Sequence, residues 1–408
     1  MRLSSPLLRW WQDFFSAAGV ALYFNRLTVL GRERLPRSGP VLYLGLHRNG
    51  AVDGFVYHRV VPRAEFMIAR QLLRSPLGRL FFRGIEVVRD KDGTSPGERA
   101  GNRAALQVCL AHLRSGGELA VLPEGTSDLG PSHLPFKRGA ARLAQAFLAE
   151  GAALRIVPLG IHYERAWEFR SNVEVVVGEP IATDLPAGAS EEERTELLHE
   201  RFTRALEAVG VNVASAEEQA RLESLAYAAT LGADRSYFSA LKAFERGVPP
   251  GLAQAWQRLE RDCDRLGLAR HQGVPLVPLG RAWLYVVAAP PLALLAAAAL
   301  LLNAPPALLA VAAARRMADA RNVVALWRLI VGVPALIAWA LLLAALSLAW
   351  GAPALFLAYV AVSIAGIAVF YRAKKLAVTV YNLLRGRALR SDLLTLKQGI
   401  DAALAHAP

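Results

Sequence analysis

Between residues 30 and 185 short apolar runs alternate with amphipathic stretches. Apolar runs of four to six residues bounded by turn formers read as buried strands, and apolar positions three and four apart read as helices. On this basis strands are expected over 41–46, 86–89, 119–122, 155–158 and 173–177, and helices over 53–60, 98–114 and 139–149. Strands alternating with helices define an α/β class, here a mixed sheet flanked by helices. Pro186-Ala187-Gly188 marks a linker, and 189–280 forms a helical extension in which Ser190 with Glu193 and Ser215 with Glu218 make capping-box patterns.

After residue 280 the pattern changes. Residues 283–314 and 329–371 contain no charged side chain. The segments 329–350 and 351–371 are each about 20 residues long, enough to cross a bilayer core as C-terminal transmembrane helices. The run 283–314 is too long for one span and too short for two, and Asn303-Ala304-Pro305-Pro306 interrupts it. Arg315, Arg316, Arg321 and Arg328 follow it, and Arg372, Lys374 and Lys375 follow the last span. Basic residues favour the cytoplasmic side. A re-entrant 283–314 followed by a two-helix hairpin keeps both clusters on that side, with the α/β domain, in a membrane domain over 281–375. Residues 376–408 then read as a basic amphipathic tail at the interface. At the other end, 1–24 carries Leu7, Leu8, Trp10, Trp11, Phe14 and Phe15 without a clear cleavage site. It reads as an interfacial amphipathic helix, with packing on the α/β domain the equal alternative.

Composition narrows the class of partner. The 408 residues have a positive mean hydropathy, +0.29, and a formal net charge of +13. Residues 281–408 hold +9 of that charge, against +4 for residues 1–280. The excess flanks the apolar segments, which favours a lipid membrane with anionic headgroups and argues against nucleic acid. Cys109 and Cys263 form no CxxC pattern or zinc-ligand spacing, so a reducing compartment and no metal are expected.

The candidate chemistry lies at the ends of predicted strands. His47 follows the run 41–46 and can take a proton from an alcohol. Asp53 can fix its tautomer through the other ring nitrogen. Glu124, Gly125 and Thr126 follow the run 119–122; the carboxylate can hold a hydroxyl, and the glycine lets backbone approach a phosphate. Arg89 ends another predicted strand and offers a fork for phosphate. Lys137 and Arg138 open a helix and add positive potential. His162 reads as a packing residue. Neither a Walker A nor a G-x-G-x-x-G loop occurs, which argues against a nucleotide-binding enzyme.

In this order the blocks resemble the glycerophospholipid acyltransferase family. Leu35-Pro36 with Gly39-Pro40-Val41 is similar to the family's lead-in, and His47 to Asp53 to its His-x4-Asp block. Residues 85–89 are similar to its phosphate-binding block, Pro123-Glu124-Gly125-Thr126 to its third and Val157-Pro158-Leu159 to its fourth. Three departures stand out. Five residues separate His47 from Asp53, Leu46 replaces a common Asn, and Ser127 replaces an arginine. The longer spacing is similar to that of the fungal glycerol-3-phosphate/dihydroxyacetone-phosphate acyltransferases, as is Val323-Val324-Ala325-Leu326-Trp327-Arg328.

The resemblance implies an acyltransferase catalytic domain over 25–188. His47 would be its base and Asp53 the orienting residue, while Arg89, Glu124, Gly125, Thr126, Lys137 and Arg138 would bind substrate. The acyl group would come from acyl-CoA or an acyl carrier protein thioester, with no other cofactor. The acceptor would be glycerol-3-phosphate or lysophosphatidate (its 1-acyl derivative), and the site would face the cytoplasm from the inner membrane. A phospholipid–lysophospholipid transacylase and a non-catalytic binder of acidic lipids are the alternatives.

Overall fold

The computed structural model describes residues 5–87, 96–278 and 280–405, and within 96–102 the backbone only. The chain opens with α1 (Pro6–Tyr23), β1 (Arg26–Leu30), β2 (Val41–Gly45), α2 (Val52–Val60), β3 (Ala64–Ala69), α3 (Arg70–Leu73), α4 (Pro76–Phe81) and β4 (Ile85–Val87). It continues through α5 (Pro96–Arg114), β5 (Glu118–Val121), α6 (Gly139–Leu148), β6 (Arg155–Tyr163) and β7 (Asn172–Val177). These strands form one seven-stranded sheet in the order β1-β7-β6-β2-β5-β3-β4. All neighbours are parallel except β6 and β7, so the sheet is mixed, as expected.

Strands β2 and β5 are buried along their whole length, which is why they read as unbroken apolar runs. Val41 of β2 pairs with Glu118 of β5 and Arg155 of β6. Because β2 and β5 run parallel and in register, the loops after them leave the same edge of the sheet. That edge holds both His47 and Glu124, 77 positions apart in sequence. Two strands were not expected. β1 follows an apolar helix with little punctuation, and β3 is half-exposed, with Glu65 breaking its apolar run. β6 is also longer than expected, running on through His162 to Tyr163.

Beyond the sheet come α7 (Glu191–Val209), α8 (Ala216–Thr230), α9 (Tyr237–Glu245) and α10 (Pro250–Leu266), then the short hairpin of β8 (Arg270–His271) and β9 (Val274–Pro275). Ser190 and Glu193 make the expected reciprocal capping box at α7. Helices α8 to α10 enclose a second core around Trp256 and Tyr227.

The apolar C-terminal part forms α11 (Ala282–Leu302), α12 (Ala304–Met317), α13 (Val324–Ala349) and α14 (Pro353–Tyr381), and α15 (Arg390–Ala405) follows. Three helices, Ala282–Leu302, Arg321–Ala349 and Pro353–Tyr381, are long and apolar enough to cross a membrane. Asn303 divides the first apolar run into α11 and α12. Its amide donates to Ser363 Oγ at 2.9 Å and accepts from Tyr359 Oη at 2.7 Å, tying the break to α14. A Cβ on Gly366 would stand 2.2 Å from that of Ala299, so this glycine sets how closely α11 and α14 approach.

The C-terminal helix departs from expectation, and the N-terminal one follows its packing alternative. The apolar face of α15, expected at the membrane interface, is buried instead: Leu396 and Ile400 belong to the second core beside Leu252 and Trp256. Helix α1 packs its Phe15 and Val20 into the main core. Gln12 Nε2 donates to the carbonyls of Arg79 and Phe82, at 2.8 and 3.2 Å. On its outer face Leu7 and Trp10 remain 74% and 62% exposed.

Candidate active site

The His47–Asp53 pair is built by the turn between β2 and α2. Tyr57, one helical turn after Asp53, donates its hydroxyl to the carbonyls of Leu46 and Leu159 at 3.0 and 3.1 Å, which locks the end of β2 against β6. The chain then turns at Gly50, whose φ of +54° is a left-handed conformation that suits glycine. Five intervening residues therefore still bring His47 Nδ1 to 2.9 Å from Asp53 Oδ2.

Asp53 is fully buried and fully used. Its Oδ2 also accepts the backbone N–H groups of Arg48 at 2.6 Å and Asn49 at 2.8 Å. Its Oδ1 accepts from the Tyr163 hydroxyl at 2.7 Å. Burial and the neighbouring Asp53 charge push the Tyr163 phenol well above its usual range, so it remains a donor. Asn49 Nδ2 holds the Ala166 carbonyl at 3.0 Å. The aspartate is thus held by four donors, an arrangement that favours the imidazole tautomer with its proton on Nδ1 toward the carboxylate and Nε2 as the acceptor. Arg48, Asn49, Tyr57 and Tyr163 were not singled out by the sequence reading. Arg48 and Asn49 lay inside a motif read only at its ends, and no spacing ties Tyr163 to position 53.

Glu124 lies behind the histidine. Its Oε1 accepts the His47 N–H at 2.7 Å and its Oε2 the Leu134 N–H at 3.2 Å. Burial raises the carboxyl pKa while those two bonds lower it. The carboxylate ties together the loops after β2 and β5, and Asp128 N, donating to the His47 carbonyl at 3.2 Å, adds a second tie. Gly125 turns with φ +71°, and a Cβ there would stand 3.1 Å from Lys137 Cε.

A cavity of about 850 Å³ opens beside His47. Its polar rim includes His47, Gly125, Thr126 and Ser127; its walls are mostly apolar, with Phe55, Phe66, Phe81 and Phe82, and Arg83 with its partners Asp13 and Glu65 lines one side. Its remaining wall comes from the other end of the chain, through Asn322, Val323 and Leu326. Asn322 Nδ2 donates to both Ser127 O and Ser127 Oγ at 2.9 Å, and its carbonyl stands against Gly50. Ala325, Leu329 and Val333 of α13 belong to the main hydrophobic core, together with β2 and β5.

The expected substrate-binding residues are thus dispersed. Gly125 and Thr126 are on the cavity rim with His47, whereas Glu124, Lys137 and Arg138 are outside its lining. Arg138 pairs with Glu196 at 2.7 Å and Glu192 at 3.5 Å on α7. Arg89 lies outside the described residues. His162, read as packing, is buried with Nε2 2.8 Å from the Val209 carbonyl.

Residues 26–162, which include the histidine held by a buried aspartate at the cavity mouth, match the family model described as Acyltransferase. Over those residues the α/β domain is similar to the acyltransferase family. Its counterparts include Glycerol-3-phosphate O-acyltransferase 2 of Saccharomyces cerevisiae, 30% identical over 164 residues. That alignment takes in 38% of this chain and 22% of the yeast protein, so the chain spans about a fifth of that relative's length. Among solved structures, the 1-acyl-sn-glycerophosphate (LPA) acyltransferase PlsC of Thermotoga maritima is similar at 20% identity, over 51% of this chain and 82% of that one, with a TM-score of 0.36. The expected resemblance to the glycerophospholipid acyltransferase family is borne out for this domain.

Proposed function

We propose that the protein moves a fatty acyl group from an acyl thioester, of CoA or an acyl carrier protein, to a hydroxyl of glycerol-3-phosphate or 1-acyl-glycerol-3-phosphate at a membrane. The observation that carries this reading is the 2.9 Å His47–Asp53 contact at the polar rim of an apolar cavity partly walled by α13. In the reaction His47 Nε2 takes the acceptor's hydroxyl proton as the oxygen attacks the thioester carbon. Asp53 stabilises the imidazolium. Collapse of the tetrahedral intermediate breaks the carbon–sulfur bond, and the thiolate leaves with the proton from His47. The apolar cavity suits the acyl chain, and α13 keeps the cavity at the bilayer, where such chains partition. Three apolar helices and the basic segments beside them favour a multi-pass protein of the inner membrane with the catalytic domain in the cytoplasm.

Membranes containing the protein, labelled acyl-CoA or acyl carrier protein, and each acceptor in turn test the reading. Thioester-dependent product that disappears in His47→Ala is expected. Undiminished transfer by that variant overturns the mechanism. Transfer from phospholipid without any thioester would reassign the protein as a transacylase.

A further inference from the structure

A second cavity, of about 340 Å³, lies on the far side of the His47–Asp53 pair. Tyr163, which donates to Asp53, and Arg48, which follows His47, form part of its wall. Unlike the apolar cavity, it gathers cations: Arg48 beside Arg165 and, from the loop before α13, Arg321. Arg165 and Arg321 both stand over the Trp167 ring, at 5.6 and 5.2 Å, so the aromatic ring orders two guanidinium groups at the cavity wall.

The cavity also collects polar atoms that have no internal partner. Arg48 Nη1, both ring nitrogens of His133 and Tyr237 Oη are buried without a hydrogen bond among the described residues, and all three side chains line this one cavity. Arg48 Nη2 is held on the Gly130 carbonyl at 2.7 Å, which fixes the guanidinium. Buried polar atoms in folded proteins are almost always satisfied, so their concentration at one site calls for a ligand rich in acceptors. Two carboxylates also face the cavity, and each has donors of its own. Glu164 accepts from Asn172 Nδ2 and Tyr371 Oη, both at 2.8 Å, and Glu223 from Gln219 Nε2 at 2.9 Å, with Arg165 Nη1 4.0 Å away; Arg165 Nε also donates to Gln272 Oε1 at 3.2 Å. Burial raises the pKa of both carboxyls, which weakens their opposition to an anion.

We propose that this second cavity, walled by Arg48, His133, Arg165, Tyr237 and Arg321, binds a phosphate monoester. The group is small, doubly charged and carries acceptors on every side, which suits several converging donors in a cavity of this size. This assignment rests on the acyltransferase reading only for the source of the phosphate. The acceptor's glycerophosphate and the 3′-phosphate of CoA are the two sources that reading supplies. It also places the phosphate contact on residues other than Lys137 and Arg138, which lie outside both cavities. The depressed pKa of His133, about 3, comes from burial first and then from the Arg48 charge. A dianion among these groups would offset the Arg48 part of that shift.

The test is equilibrium binding of labelled inorganic phosphate to the full chain in phosphatidylcholine nanodiscs, with glycerol-3-phosphate and CoA as competitors. Saturable binding is expected, weakened at least about tenfold in Arg48→Met, as loss of a charge-assisted bond implies, less in Arg321→Gln and Tyr237→Phe, and unchanged in His47→Ala. The Arg321 and Tyr237 variants alter a surface-exposed side chain and a single hydroxyl, so they stay informative if Arg48→Met fails to fold. Competition by glycerol-3-phosphate identifies the acceptor as the source, and competition by CoA alone identifies the donor. Absence of saturable binding to the wild-type chain, or binding indifferent to the Arg321 and Tyr237 substitutions, overturns the proposal. Arg321-dependent binding in a protein that transfers no acyl group would leave the site standing and remove the enzymatic reading.

Discussion

The two cavities flank one aspartate and differ in almost every property. The front cavity is large, lined by phenylalanines, and walled in part by α13; the back cavity is less than half its volume and holds three arginines. The front one matches an acyl chain, which is recognised by exclusion of water. The back one matches an anion, recognised by convergent donors. A catalyst that joins a greasy donor to a charged acceptor needs both environments. In this fold a buried carboxylate separates them, with His47 on one side and Tyr163 on the other.

His47→Ala should break the front half alone, with transfer falling by about 10²–10⁴-fold, the usual worth of a positioned general base, and phosphate binding intact. A parallel loss of phosphate binding would mean that the two cavities are one site. Glu124→Ala acts on the frame that both share. It leaves the buried N–H groups of His47 and Leu134 without acceptors and should lower stability by about 2–4 kcal/mol, with Glu124→Gln losing less. Chemical denaturation of the two variants in the same detergent provides the measurement.

The back cavity should also leave a pH signature. Burial holds His162 at about 4 and His133 at about 3, below the ordinary 6.5. The unfolded chain therefore binds more protons between those values, and the neutral imidazoles lose their stabilising contribution as pH falls from 6.5 toward 4. The raised carboxyls of Glu164 and Glu223 act in the opposite sense. The clean comparison is thus with His162→Phe, whose stability loss between pH 7 and pH 5 should be smaller than wild type by about 1–2 kcal/mol. Equal losses would show that His162 titrates normally. Asn322→Ala gives the smallest expected effect. Without its two bonds to Ser127, stability should drop by about 1 kcal/mol, and KM for long-chain donors should rise more than kcat falls. An unchanged KM would show that the loop before α13 is not part of the acyl cavity.

The front half was legible in the sequence because its chemistry is local. His47, Asp53 and the Glu124-Gly125-Thr126 turn each follow an apolar strand, and parallel pairing of β2 with β5 brings the turns together. The role of Glu124 was less legible: a carboxylate in a conspicuous motif read as a substrate ligand, but its two oxygens hold backbone. The back cavity was invisible because its residues lie at positions 48, 133, 165, 237 and 321, with no spacing to join them. Helix α15 was misplaced for a related reason. An amphipathic helix shows that it has a face to bury and not what will cover it, and here the cover is α10.

The loop from Ala318 to Val323 has a consequence for any attempt to simplify the molecule. Asn322 closes on Ser127 and Gly50, and the first turns of α13 complete the main hydrophobic core. A fragment cut after the α/β domain would therefore have an unroofed reaction chamber and a torn core. The apolar helices are thus masonry of the α/β domain, so a more soluble version of this protein calls for resurfacing those helices rather than removing them.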